Sequence, residues 1–370
     1  MRILIAADSF KDALPAQEVC RAIAAGLRRR SPAMHLIEFP LADGGEGTFE
    51  VLSHHLGLEK KEAEAVDPLF RSLRAPFGYG AAEGVALVEM AKASGLPLLR
   101  PDERDPLKTT TFGTGMLLSD AVAAGARRIV LAIGGSATND AGMGMAAALG
   151  WQFLDKAGNG LSPVGASLEA VDRIVPPENG AFPPTDLICD VDNPLFGSRG
   201  AAHVYGRQKG ADDNAVERLD RGLRHFSAKV EQALGKPGLS ETPGAGAAGG
   251  LGFGAMAFLN AGLQRGIELV MDLTRFDEAL AAADLIITGE GMIDGQTLHG
   301  KLIHGVCRRA ARRQTPVIAL CGRLEATPEQ IRSIGLKAAY SINDAPAPLP
   351  ELLARTAANL ERTAAAIPLK

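Results

Sequence analysis

The stretch Arg2-Ile3-Leu4-Ile5-Ala6-Ala7-Asp8-Ser9-Phe10-Lys11 decides the fold class. Residues 3–7 form an apolar run of the length of a buried strand, and the run breaks at once into a polar loop. A helix is expected next, because Val19, Ile23 and Leu27 recur every fourth position on one face. Strand, polar loop and helix are the repeating unit of an α/β sheet. The unit returns far down the chain, where residues 284–288 (DLIIT) lead into Gly289-Glu290-Gly291 before a helix expected over 301–313. Further strands are expected at 36–41, 317–320 and 338–342, and further helices at 45–56 and 350–366. Five strands with helices between them are the count of a flavodoxin-like parallel sheet.

The middle of the chain has elements of its own. Residues 85–90, 129–133 and 187–189 read as buried strands, and 114–124, 215–234 and 249–263 as helices. The pattern predicts a second α/β domain, residues 68–271, interrupting a flavodoxin-like domain made of 1–67 and 272–370. Two consecutive domains would fit the same periodicity.

Composition narrows the function. The 370 residues are 46% hydrophobic and 22% charged, with a net charge of −4. These are the proportions of a folded, soluble protein. The longest basic block is Arg28-Arg29-Arg30, at the end of a predicted helix where positive charge suits the dipole. No nucleic-acid partner is expected, since the basic field it requires is missing. The N-terminus has no signal-peptide layout, and no apolar run is long enough to span a bilayer. The four cysteines, Cys20, Cys189, Cys307 and Cys321, lie in apolar stretches without a CxxC pair. Together these predict a cytoplasmic protein with reduced thiols and no membrane partner.

In open α/β sheets ligands bind beyond the carboxyl ends of the strands. Five strand ends here carry acids, glycines and amides. They are Asp8-Ser9-Phe10-Lys11; Asp43-Gly44-Gly45-Glu46; Gly134-Gly135-Ser136 with Asn139 and Asp140; Asp190-Val191-Asp192-Asn193; and Gly289-Glu290-Gly291 with Asp294. That set suits phosphoryl transfer, which needs positioning and charge neutralisation more than covalent help. Mg²⁺ takes one or two carboxylates together with phosphate and water. Glycine loops entering helices offer backbone N–H groups to phosphate, and residues 134–140 have that layout. Mg²⁺ is the expected metal cofactor, beside a phosphoryl donor.

Residues are expected to divide by role. Asp190, Lys11 and Lys301 are the catalytic candidates, with Asp190 the general base. Asp8, Ser9, Asp43, Gly44, Gly45, Glu46, Gly134, Gly135, Ser136, Asn139, Gly289, Glu290, Gln296 and Thr297 are the substrate and phosphate candidates. Asp192 and Asp294 are the metal candidates. Two motif matches fail on context. Gly244-Ala-Gly246-Ala-Ala-Gly249 fits GxGxxG but follows a Pro/Gly loop instead of a strand. Gly295–Gly300 with Lys301 resembles a Walker A loop, yet Leu302 replaces its Ser or Thr. The seven histidines form no metal-ligand pattern.

The loops resemble the type 1 glycerate kinase family. The matching segments are DSFK (8–11), PLADGGEGT (40–48), VEMAKASGL (88–96) and TTTFGTG (109–115). They continue through IGGSATNDAGMGMAAALG (133–150), DVDNPLFG (190–197), QKGA (208–211), PGAGAAGGLGFG (243–254) and TGEGMIDGQTLHGK (288–301). The resemblance implies ATP as the phosphoryl donor and ATP-dependent phosphorylation of D-glycerate, on the 2-hydroxyl as in bacterial members. It also implies an interrupted flavodoxin-like domain with the active site in the cleft beside the second domain. Small-molecule substrates are the expected partners, in a monomer or homodimer. A kinase for another short hydroxy acid would share the fold, and a catalytically inactive nucleotide-binding regulator would be expected to lack the loop carboxylates and lysines. Three positions depart from the family pattern: Asp12-Ala13 for a Gly-Ser pair, Met292 for a basic residue, and Arg207 for a proline.

Overall fold

The structure, a computed structural model, describes residues 1–45, 47–178, 182–294 and 302–369. The chain divides into two compact units, Met1–Leu56 with Gly266–Lys370, and Gly57–Arg265.

The strands in chain order are β1 (Arg2–Ala7), β2 (His35–Glu38), β3 (Glu59–Val66), β4 (Ser72–Gly80) and β5 (Val85–Glu89). Next come β6 (Arg128–Ala132), β7 (Gln152–Leu154), β8 (Arg173–Val175), β9 (Thr185–Ile188) and β10 (Gly262–Gln264). The last are β11 (Leu285–Ile293), β12 (Val317–Leu324) and β13 (Ala338–Ser341).

The first unit holds a five-stranded sheet in the order β2-β1-β11-β12-β13, every pairing parallel. Counted within the unit, this is the 2-1-3-4-5 order of the flavodoxin-like fold. Its core joins Ile3, Ile5, Val19, Ile23 and Leu27 to Ile287, Ile318 and Leu320. The four-residue spacing of Val19, Ile23 and Leu27 therefore does set the buried face of the helix Ala16–Arg30.

Several boundaries differ from those expected, among them the helix read over 249–263, which ends at Phe258 and gives way to β10. β11 runs on through Gly289 and Glu290 to Ile293 because β12 stays paired with it as far as Ile293↔Leu324. Gly289 and Glu290 thus lie within a strand and not in a loop. The C-terminal helix is two helices, Leu349–Ala354 and Thr356–Ala366, broken at Arg355.

The second unit is built on a six-stranded mixed sheet, β10-β9-β6-β5-β4-β3. The β10–β9, β9–β6 and β6–β5 pairs are parallel, and β4 and β3 extend the sheet as an antiparallel hairpin. A cluster around Leu131, Leu187, Leu117 and Leu251 buries one region of this sheet. A second cluster gathers Phe153, Phe226, Phe253 and Phe258 beside the 22-residue helix Asp213–Leu234. No described helix is long and apolar enough to cross a membrane.

Candidate active site

In the first unit the switch point of the strand order falls between β1 and β11, where a ligand is expected. Asp8 stands there. Its backbone N–H donates to Gly289 O at 2.9 Å, and its Oδ1 accepts from the N–H of Ser9 at 2.7 Å. The chain then closes a tight turn, with Phe10 and Leu14 exchanging backbone hydrogen bonds of 2.9 Å in both directions. Lys11 is exposed at this turn, and a Cβ placed on Gly291 would lie 3.8 Å from its backbone nitrogen. The DSFK loop therefore sits directly on β11.

After β2, the N–H groups of Phe39 and Leu41 keep donating to Ile5 and Ala7, which carries Asp43 to the same sheet end. Asp43 Oδ1 accepts from Gly45 N at 3.0 Å. Burial holds the Asp8 carboxyl well above its ordinary pKa of 3.8, and the charges of Asp43 and Glu290 push it the same way, against the Ser9 hydrogen bonds. Three carboxylates thus converge on one electrostatic region. Among the described residues no three acid, histidine or cysteine side chains could hold a metal by themselves. The donor set nonetheless fits Mg²⁺, which takes one or two carboxylates and fills its other positions with phosphate and water. A cation would also offset the mutual repulsion felt by Asp8.

In the second unit the loop after β6 is pinned on every side but its tip. Leu96 N donates to Gly135 O and Ala137 N to Ser94 O, each at 2.9 Å. Thr109 Oγ1 donates to Ala137 O at 3.0 Å. Lys209, only 2% exposed, donates from Nζ to Ser136 Oγ and to Thr138 O, both at 2.7 Å. Asp140 is wholly buried and accepts from Thr111 N, Thr111 Oγ1, Gly142 N and Gly144 N. Only Gly134 and Gly135 reach the surface, and nothing stands within 4 Å of a Cβ placed on Gly134. An exposed glycine tip on a rigid base suits the approach of phosphate to backbone N–H groups.

Asp190 and Asp192 lie exposed beyond β9. The next residue is fixed: Tyr205 donates its hydroxyl to Asn193 Oδ1 at 2.6 Å, and Asn193 Nδ2 donates to Arg199 O at 2.8 Å. The glycine-rich segment 244–250 joins this loop to the one after β6. A Cβ on Gly246 would stand 2.2 Å from Pro194 O, and one on Gly249 would stand 1.9 Å from Thr138 O. The GxGxxG match is thus a close-packing spacer between two candidate loops, with Ala248, Gly249 and Gly250 all left-handed.

A model of the Glycerate kinase family matches residues 3–369 of this chain. The chain belongs to the glycerate kinase family. It is 41% identical to a glycerate kinase of Bacillus subtilis over 98% of its own length and 96% of the relative's. It is 40% identical to the glycerate 2-kinase of Escherichia coli over 92% and 90%. A crystal structure of a Salmonella typhimurium protein assigned as glycerate kinase 2 superposes with a TM-score of 0.89, at 41% identity, covering 99% of this chain and 96% of that one.

Within this glycerate kinase fold, Asp8, Ser9, Asp43, Gly44, Gly45, Gly289 and Glu290 fall at one end of the first sheet. Gly134, Gly135 and Ser136 fall at the end of β6, and Asp190 and Asp192 beyond β9. Asn139 is wholly buried beneath this loop, and neither atom of its carboxamide has a partner among the described residues. Asp294 directly follows β11. Glu46, Gln296, Thr297 and Lys301 lie outside the described residues. Arg207 is paired at 2.6 Å with Asp213 on the surface. Sequence reasoning passed over Asp140 and Lys209. The available signals were an acid ending the GGSATND run and a lysine inside the QKGA match.

Proposed function

We propose that this chain transfers the γ-phosphoryl group of ATP to the 2-hydroxyl of D-glycerate, giving 2-phosphoglycerate and ADP. The observation that carries the reading is the near full-length similarity to a glycerate 2-kinase, whose motifs in this chain fall at the ends of parallel strands. The acceptor oxygen forms a bond to phosphorus while the bond from phosphorus to the β–γ bridging oxygen breaks, and ADP leaves. Asp190 takes the hydroxyl proton as general base. Backbone N–H groups at Gly134 and Gly135 receive phosphate oxygens. Lys11 and Lys301 neutralise charge on the transferring group.

A bound Mg²⁺ would supply positive charge against the charge of transfer. Asp192 and Asp294 are candidates to hold it, and Asp8, with Asp43 and Glu290 beside it, would be a further carboxylate for it. The test is ADP release from ATP with a panel of short hydroxy acids. D-glycerate should give the highest kcat/KM, and a better turnover with another acid would reassign the acceptor.

A further inference from the structure

Lys209 is the one lysine among the described residues that the fold buries. It ends the short turn Arg207–Lys209 after the helix Ala201–Tyr205, and its N–H donates to Gly206 O at 3.0 Å. That backbone leaves the side chain pointing inward, under the loop after β6. Burying an ammonium costs several kcal/mol before its partners are counted. Burial also lowers the amine's pKa from 10.5 to about 7, with the nearby Asp140 charge opposing the drop. Packing alone would be served as well by a methionine.

The same loop carries three more buried polar atoms with no partner among the described residues: Thr138 Oγ1, Asn139 Oδ1 and Asn139 Nδ2. A segment tuned only for stability would not retain them, since each costs about 1–3 kcal/mol. Among the contacts that do hold the loop are those of Lys209. Lys209 grips a side chain and a backbone carbonyl two residues apart, immediately behind Gly134 and Gly135.

We propose that Lys209 is a positioning residue for phosphoryl transfer, acting through Ser136 to hold the Gly134–Ser136 turn where its N–H groups meet the phosphate. This rests on the reading of that turn as part of the active site. Lys209 touches no substrate. A displacement of about 1 Å in a positioning element can cost roughly 10²-fold in rate.

The test is a double-mutant cycle read in kcat, with KM for ATP and glycerate and the melting temperature measured for each protein. Lys209→Met and Ser136→Ala should each lower kcat by roughly 10²-fold, measured on folded protein well below melting temperatures that should themselves fall, because each change strands a buried partner. The double variant should be no slower than the slower single one, because residues acting as a unit are not additive. Losses that multiply in the double variant, or wild-type kcat in Lys209→Met, would overturn the proposal. Should Lys209→Met fail to fold, Lys209→Gln takes its place in the cycle.

Gly134→Ala separates this proposal from the reading beneath it. Its methyl group has open space in the fold and would obstruct only an incoming phosphate. If Gly134→Ala is impaired while Lys209→Met and Ser136→Ala are not, the clamp is wrong and the site stands. If all three behave as wild type, the turn lies outside the site.

Discussion

The backbone N–H of Asp8 donates to the carbonyl of Gly289 at 2.9 Å, joining the ends of two strands that lie far apart in sequence. This contact sits at the reversal of strand order in the first sheet and brings Asp8 under the influence of Glu290 and Asp43.

Asp8 should therefore couple Mg²⁺ affinity to pH. Its carboxyl titrates well above 3.8, so as pH falls from neutrality it takes up a proton before an ordinary aspartate would. The Mg²⁺ concentration for half-maximal activity should rise as pH is lowered, and Asp8→Asn should flatten that dependence. Stability follows with a definite sign. Between 3.8 and the raised value the folded state binds the extra proton, so wild type loses stability as pH rises through that window. In metal-free buffer Asp8→Asn should be the more stable protein at neutral pH, and the gain should vanish in acid. A thermal-shift series across pH checks both signs.

Asp190→Asn keeps the shape of the side chain and removes the proposed base. Turnover should fall roughly 10²–10⁴-fold, the range for a lost general base. Nucleotide affinity and melting temperature should stay near wild type. Lys11→Ala should lower kcat/KM by roughly 10²-fold, the scale of a lost preorganised charge. Steady-state kinetics on soluble variants decide both, and turnover within a few-fold of wild type in Asp190→Asn would move the base elsewhere.

Asp140 has a structural role that a stability measurement can isolate. Removing its carboxylate strands the N–H groups of Thr111, Gly142 and Gly144 in the interior. Unsatisfied buried donors cost about 1–3 kcal/mol each. Asp140→Ala should lower the melting temperature sharply, whereas Asp190→Asn should not; equal melting temperatures would contradict this account of the loop.

Asp12, one of the positions that depart from the resemblance read in the sequence, has a φ of +62°. Glycine adopts that left-handed conformation freely, and aspartate tolerates it better than most residues. Asp12→Gly should leave activity unchanged and not reduce stability. Asp12→Val should cost about 1–2 kcal/mol, the usual penalty for a side chain held in that region. The departure from the family pattern is then a matter of backbone, and kinetics unchanged in Asp12→Gly would bear that out.

The parallel strands were legible because each is a short apolar run ending in a polar loop, as at Ile3–Ala7. The hairpin β3–β4 was not. β3 reads Glu-Lys-Lys-Glu-Ala-Glu-Ala-Val, and only the small residues Ala63 and Ala65 mark its buried face. The extension of β11 through Gly289 and Glu290 was hidden too, because its pairing with β12 and not its own residues keeps it extended. Lys209 and Asp140 were given no role of their own for a common reason: lysine and aspartate are almost never buried unless paired, so composition points to the surface. Lys209's partners, Ser136 and Thr138, and Asp140's partner Thr111 are distant in sequence, and only Gly142 and Gly144 lie near Asp140 along the chain.

The central claim is a chemical one, and phosphorus NMR tests it most directly. The protein is incubated with D-glycerate, ATP and Mg²⁺, and the products are compared with authentic standards. The account predicts ADP together with a single new phosphomonoester resonance that coincides with 2-phosphoglycerate. A resonance coinciding with 3-phosphoglycerate, or ATP consumed with inorganic phosphate as the only other product, would contradict it.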